Sequence, residues 1–548
     1  MNDRRLARAS AIMAAGSIVS RLTGVLRAVL LLWVIGNALN ADLFEVANTI
    51  PNSMYFLVAG GIFNVVLVPQ MVRAMVRDDD GGEAYIQRVM TLGFLVLIAA
   101  SVLLVLAVPL LMRVLFQAEL FTADLTPQRE SARLLMMLCM PQVFFYGAFV
   151  LAGQILNAKE KFGPMMWAPI LNNLVAITML GTYAAVFGTA TDPNGGFTTD
   201  QALLLGLGST LGIALQGAVL IPYLRKAGYR FRPRYDFRGV GLGHTLRLGA
   251  WTLGYILVNQ VAMIAIVRMA SGATLEGAAS GEAAIGVTVY NLGYLISQAP
   301  HGIITVSLTT AVIPTLSALA AAGDHSRLRR EFGRTLRLVA FLIAPVAVVV
   351  GCLGPQIAAV LAGVGAASTN VGAIGATISA FSLGLVAFSL NYYALRGFYA
   401  SEDTRTPFFL QLVVASTNVG LAFVLTRSAP PLEVPMRLAL SFGVAALVGV
   451  TLSITVLSRR FGRIVGAAMV RFLVRLSLAC ALTAGVLLGT RALLDLAGTD
   501  VMSLPGGFLV LAVAGLAGAA VFWGAVNAMR IPEAKQINAL VAQRGGAS

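Results

Sequence analysis

The sequence predicts an all-α polytopic membrane protein with about fourteen transmembrane helices, on three observations. Hydrophobic residues make up 58% of its 548 positions and charged residues only 11%, against about a quarter charged in an ordinary soluble domain. Apolar stretches of about 20 residues, the length that crosses a bilayer as a helix, recur along almost the whole chain between short polar loops. These stretches are rich in Leu and Ala and far longer than the roughly 10 alternating residues of a barrel strand, which argues against a β-barrel.

The expected spans are 9–36, 44–73, 87–114, 131–157, 164–188, 201–224, 244–270, 282–320, 335–361, 372–400, 405–427, 434–459, 465–491 and 503–529. The first follows Arg4, Arg5 and Arg8 and so imitates a secretory signal. It nevertheless runs past Gly36, carries Arg21 and Arg27 internally and lacks an A-x-A cleavage site, so it reads as a retained helix. At 100° per residue, Ser17, Ser20, Arg21, Gly24 and Arg27 fall within an arc of about 120°. Counted from Arg8, Arg21 lies roughly 20 Å deep and Arg27 roughly 30 Å. A central arginine costs about 2.5–3.5 kcal/mol on insertion scales. A water-filled cavity, an anionic partner, or an ion pair with Asp42 or Glu45 must therefore compensate. The planar guanidinium fork suits a diphosphate, to which it makes paired, charge-assisted hydrogen bonds.

The second span carries Asp42, Glu45, Asn48, Thr49, Asn52 and Tyr55 along one side, with Pro51 inside it and Gly60-Gly61 beyond. Pro51 frees a backbone carbonyl that protein or water has to satisfy. Such a helix is either a bent cavity wall or a tightly packed element with a harmless kink. The run Asp78-Asp79-Asp80 beside Gly81-Gly82 imitates a metal-binding carboxylate pair but reads as a solvated turn. Arg268, near the end of the seventh span, either faces a cavity or snorkels. In the eighth, Asn291, Tyr294, Gln298, His301 and Thr305 lie within an arc of roughly 80° beside Pro300, a second polar wall. A lone histidine such as His301 is expected to be a hydrogen-bonded packing residue. Arg396, in the tenth span, is the remaining intramembrane cation.

The net charge of +15 sorts by loop. Basic residues crowd the N-terminus, the 2–3 loop (Arg73, Arg77, Arg88), the 6–7 loop (Arg225, Lys226, Arg230, Arg232, Arg234, Arg238) and the 8–9 loop (Arg327, Arg329, Arg330, Arg334, Arg337). They also crowd the 12–13 loop (Arg459, Arg460, Arg463) and the C-terminus (Arg530, Lys535). Alternate loops hold Asp42, Asp192, Asp200, Glu276, Glu282, Asp495 and Asp500. That is the positive-inside pattern, and with an even helix count it places both termini in the cytoplasm. The excess charge is thereby assigned to topology and anionic headgroups, not to nucleic acid. Cys139, Cys352 and Cys480 stand singly in apolar segments, which supports neither a disulfide framework nor a zinc site.

An internal repeat is also visible. QILNAKEKFGPMMWAPILNN at 154–173 has a counterpart in GFYASEDTRTPFFLQLVVASTN at 397–418, and the helix ending Val68-Pro69 resembles the one ending Ile313-Pro314. The offsets, 407 − 164 = 243 and 314 − 69 = 245, nearly agree and enclose six helices. An even number preserves direction through the membrane, so the repeats are parallel, and substrate sites of such transporters lie between the halves. The expected organisation is an N-terminal lobe at 1–228, a C-terminal lobe at 229–462, two added helices at 463–530 and a cytoplasmic tail at 531–548.

The stretch SRLTGVLRAVLLLWVIGNALNADLFEVANTIPN at 20–52 resembles the N-terminal signature of MurJ/MviN lipid II flippases. The resemblance continues in MPQVFFYG (140–147), QILNAKEKFGPMMWAPILNN (154–173), APHGIITVSLTTAVIPTLS (299–317) and ALRGFYASEDTRTP (394–407), spanning about three quarters of the chain. It implies the fold of the multidrug/oligosaccharidyl-lipid/polysaccharide exporters: two six-helix lobes around a cavity, with two C-terminal helices lining a groove for a lipid tail. It implies lipid II, the undecaprenyl-pyrophosphate disaccharide pentapeptide, as substrate. It places Arg21, Arg27 and Asp42 on family positions. Two departures accompany it: Tyr55 stands where the family usually has an arginine, and Tyr294-Leu295 where it often has an A-D-R element.

The substrate-binding residues expected are therefore Arg21, Arg27, Asp42, Asn48, Asn52, Tyr55, Arg268, Asn291, Gln298 and Arg396. The protein is expected to be a transporter of the bacterial cytoplasmic membrane, not an enzyme. Lipid II and membrane lipids are the expected partners, and the pathway leaves room for peptidoglycan synthases. No metal or cofactor is expected, and coupling to the membrane potential or to a monovalent cation stays open. Competing readings are an exporter of another prenyl-linked glycan and a drug or cation antiporter of the same superfold. A polytopic glycosyltransferase would need a catalytic loop, and none is long enough.

Overall fold

In the computed structural model the described residues are 3–57, 71, 74–75, 80, 82–159, 161, 163–189, 192–237 and 242–535, with side chains placed from Ala15 onward except over 242–249. Gly60-Gly61, Val68-Pro69, Asp78-Asp79 and the tail beyond Lys535 lie outside them. Among the described residues thirteen helices are long and apolar enough to cross a membrane, each on one of the expected spans. The remaining one, 44–73, is described continuously only to Leu57. The all-helical class is borne out.

Proline explains where the spans are interrupted. The chain runs through α1 (Asp3–Val34), α2 (Leu39–Phe56), α3 (Glu83–Leu106), α4 (Val108–Leu115), α5 (Thr126–Cys139), α6 (Gln142–Ala158), α7 (Gly163–Phe187), α8 (Thr199–Ala218), α9 (Ile221–Lys226) and α10 (Leu242–Ser280). It continues through α11 (Val287–Pro300), α12 (Val306–Ala321), α13 (His325–Ala362), α14 (Val371–Tyr399), α15 (Arg405–Thr426), α16 (Val434–Phe461), α17 (Ala467–Leu496) and α18 (Leu504–Ala528). The breaks between α3 and α4, α5 and α6, and α8 and α9 fall at Pro109, Pro141 and Pro222. Each proline removes the N–H that would continue the ladder. After Pro300, residues His301–Thr305 widen into a π turn before α12. In α13, Leu353 leaves helical geometry at φ −112° and ψ 18°, two residues before Pro355.

By compactness the chain divides into Met1–Thr288 and Val289–Ser548. In the first unit α1 pairs with α7, α7 with α8, α3 with α6, and α2 with both α5 and α6. Asn173 fixes the register of α1 on α7 by donating to Ser20 O (3.0 Å) and Thr23 Oγ1 (2.9 Å). Gly147 lets α6 approach α3 so closely that a Cβ there would collide with Leu97. Helix α10, which the helix count gives to the second lobe, packs in this unit against α2 and α4. Gln260 donates to Ser53 O at 2.7 Å, and Ser271 to Leu115 O at 3.2 Å.

In the second unit α13 packs on α14, α14 on α16 and α15 on α16, the same neighbour order that α3, α6, α7 and α8 show in the first. The hairpin of α17 and α18 lies against α13. Phe341 of α13 meets Phe522 of α18 with ring centroids 5.8 Å apart. Past α18, buried Glu533 accepts from Arg337 at 2.7 Å and ties the end of the described chain to α13.

Candidate functional site

A cavity of about 80 Å³ opens among α1, α2, α6, α7 and α8 of the first unit. Its polar lining is Arg27 and Glu45, with Asn48, Asn52, Gln142, Tyr146, Asn172 and Ser209; Phe44, Ala176, Met179 and Ile213 are among its apolar walls. Arg27 is exposed within the unit and is the one cation of the lining. The polar residues are fixed by one another. Gln142 donates to Asn48 Oδ1 at 3.0 Å, Tyr146 OH donates to Asn52 Oδ1 at 2.9 Å, and Asn48 Nδ2 returns to the carbonyl of Phe44 at 2.9 Å. The Tyr55 ring lies 5.0 Å from that of Tyr146 and braces it from the C-terminal end of α2. Amide and hydroxyl rotamers held this way form a fixed wall beside the Arg27 guanidinium, which favours recognition by lowering the entropy lost on binding. A volume this small takes one charged group, not a sugar headgroup.

The structure brings Arg27, Asn48 and Asn52 together, with Tyr55 behind them. It places the other expected residues elsewhere. Arg21 lies less than two helical turns, roughly 9 Å, from Arg27 and is half-buried outside the cavity lining. Asp42 is fully buried and apart from the cavity. Its Oδ1 accepts from Thr288 N and Thr288 Oγ1, each at 2.8 Å, and its Oδ2 from Thr274 Oγ1 (2.8 Å) and Val287 N (2.9 Å). It therefore caps the first turn of α11, whose N–H groups have no intrahelical partner. Neither an ion pair with Arg21 or Arg27 nor a contact in the cavity is its role here. Arg268 donates to the carbonyls of Arg113 (2.5 Å) and Val114 (2.9 Å), capping the C-terminal end of α4. A cation is favourable at that negative end of the helix dipole.

In the second unit, Gln298 and Arg396 keep buried atoms, Nε2 and Nε respectively, without a hydrogen-bond partner in the described structure. Arg396 donates to Tyr392 OH and lies over the rings of Tyr392 (4.5 Å) and Tyr399 (5.5 Å). Asn291 is half-buried on α11. His301 is buried, with Nδ1 3.0 Å from Ser389 Oγ and its ring edge-on to Phe388 and Tyr392, which is the packing role expected of it. The sequence did not single out Gln142, Tyr146, Asn172 or Ser209. The first two sit inside the MPQVFFYG segment, and Asn172 is the penultimate residue of the segment at 154–173.

The chain matches the family model described as lipid II flippase MurJ over residues 33–506. A probable lipid II flippase MurJ of Haemophilus influenzae is 27% identical over 425 residues, covering 74% of this chain and 78% of that protein. One from Rhizobium tropici is 27% identical over 411 residues, with 74% and 73% covered. Among solved structures, lipid II flippase MurJ in an inward closed conformation superimposes with a TM-score of 0.69 at 18% identity, covering 93% of this chain and 98% of that one. An inward-facing multidrug resistance MATE family transporter of the MOP superfamily gives 0.57 at 16% identity, with 82% and 94% covered. At such identities the structural likenesses establish the fold alone.

Proposed function

The chain belongs to the lipid II flippase MurJ family, and we propose that it carries lipid II from the inner to the outer leaflet of a bacterial cytoplasmic membrane by alternating access. Beyond family membership, the observation that supports this reading is the pre-set cavity around Arg27. The pyrophosphate binds at Arg27 and passes Arg21 on the same helix, through the paired, charge-assisted hydrogen bonds a guanidinium makes with phosphate oxygens. Asn48, Asn52 and Tyr146 orient the group, and the sugars and peptide extend beyond the small cavity. The prenyl tail stays in lipid beside α17 and α18. Both termini are cytoplasmic, as the loop charges require. Gln298 and Asn291 belong to the second unit's share of the path. No bond is made or broken, so the cycle needs no catalytic residue, and peptidoglycan synthases are the natural consumers of its product.

The test is replacement of a host's lipid II flippase by this chain. Lipid II should reach the outer leaflet and cells should survive, and Arg21→Ala with Arg27→Ala should abolish both while expression and insertion stay normal. Unaltered transport by that double variant would remove the arginine site. Failure of the well-inserted parent would shift the substrate to another prenyl-linked glycan. The likeness to a multidrug transporter fold makes a drug-resistance assay the second control, and no resistance is expected.

A further inference from the structure

Residues 229–237, on leaving α9, lie along the first turns of α3 as a pinned strap. Gln87, buried at 3% exposure, donates to Arg230 O (2.6 Å) and accepts from Arg232 N (2.7 Å) and Tyr229 OH (3.0 Å). Buried Thr91 accepts from Arg234 N at 2.9 Å. Arg88 closes the far end on Asp236 at 2.7 Å. Backbone groups of every second residue thus face α3, the period of an extended chain, which sends alternate side chains to opposite sides. Phe237 takes the protein side, and Phe231 rests against it while part of its ring stays exposed. The Phe231 ring is 5.1 Å from that of Phe94, and Phe237 packs on the core beneath. Arg230, Arg232 and Arg234 take the other side, exposed, with Arg225 and Lys226 of α9 beside them.

The charge on this strap is not cancelled locally. Asp236, the acid within it, is held by Arg88, which keeps its carboxyl below the usual range, and Arg234 adds to that effect. Asp80, lowered mainly by the Ala84 backbone N–H, also feels Arg234. Among the described residues Arg225, Lys226, Arg230 and Arg232 form no ion pair. Large apolar and aromatic surfaces stand beside these cations: Tyr235 is 69% exposed, and Ile221, Tyr223 and Phe231 are also exposed. Cations grouped in this number with aromatics, at the end of a spanning helix, match the chemistry of a membrane–water interface. A solvated loop would need neither the buried glutamine that fixes its backbone nor the aromatics.

We infer that the strap 229–237 with the end of α9 is a preformed binding site for the headgroups of anionic phospholipids in the leaflet that faces it. Arg225, Arg230 and Arg232 contact the phosphates, and Tyr235 sits at headgroup depth. Gln87 acts as a positioning residue that holds the arginines in line before the lipid arrives. The inference is independent of lipid II as substrate, because the strap is separate from the Arg27 cavity.

The experiment is native mass spectrometry of the full chain given phosphatidylglycerol and phosphatidylcholine in known ratio. Preferential retention of phosphatidylglycerol is expected. Arg225→Gln/Arg230→Gln/Arg232→Gln should weaken it roughly a hundredfold, at about fivefold per charge. The matched triple Arg327→Gln/Arg329→Gln/Arg330→Gln, in another basic cluster at the start of α13, should leave it within about threefold. Gln87→Ala, which keeps every charge and releases the strap, should cost several-fold. The corresponding triple lysine variant, should the glutamine one fail to fold, is expected to retain the preference. No loss in the glutamine triple, equal loss in the matched triple, or displacement of the lipid by millimolar inorganic phosphate would each overturn the assignment.

Discussion

Two arginines inside spanning helices meet opposite fates. Arg27, in the first unit, lines a cavity whose amides and hydroxyl are tied to one another, Gln142 to Asn48 and Tyr146 to Asn52, so the guanidinium remains the cation presented to whatever enters. Arg396, in the second unit, is enclosed by Tyr392 and Tyr399, which compensate its charge with their π faces and a hydroxyl. The difference teaches that burial of a cation in an apolar helix marks cost, not role. What surrounds the guanidinium decides whether it is kept for a ligand or used up in packing.

The largest effect should come from a third ionisable group that packing has claimed. Asp42→Ala takes the acceptor from Val287 N, Thr288 N and Thr288 Oγ1, leaving the Thr274 hydroxyl only Ser271 O, and should destabilise the first unit by about 3–5 kcal/mol, read as a fall in thermal stability of the purified chain. If Asp42→Ala instead keeps its stability and loses transport, the carboxylate belongs with Arg27 and not with the cap of α11. Next, Arg27→Gln should reduce lipid II translocation about a hundredfold, the size of a lost charge-assisted phosphate contact, with thermal stability unchanged. Arg268→Ala should show the inverse pattern, a loss of about 1–2 kcal/mol from uncapping α4 and unaltered transport per folded molecule. Tyr146→Phe removes one hydrogen bond to Asn52 and should cost transport a few-fold, about 1 kcal/mol. The smallest change is expected from Arg396→Gln, within about threefold in transport. A loss there equal to that of Arg27→Gln would erase the contrast between the units.

The fold was largely legible because its cause is local. Lipid forces each span to satisfy its own backbone, so length and apolarity suffice to locate helices. Proline marks most of the interruptions for the same local reason. The site was legible in part. Helical periodicity put Arg27 and Arg21 on one face of α1 and aligned Asn48 with Asn52 on α2, and Arg27, Asn48 and Asn52 do meet. Periodicity is silent on what faces a helix from across the bundle. Nothing in the local sequence says that Gln142 and Tyr146 of α6 turn toward α2, or that Arg268 reaches the carbonyls that end α4.

Composition and span length therefore determined by themselves that this chain is a helical membrane protein, because the bilayer acts on each segment separately. Tertiary structure alone decided the use of the charged groups. Asp42 became a cap because α11 begins beside it, separated by 245 residues in sequence from the Val287 N–H it binds. Arg27 came to line a cavity because five helices leave a space at its tip. Hydrogen bonds and ion contacts are satisfied by whatever lies within about 3 Å, and distances of that kind are set by packing, not by neighbours along the chain.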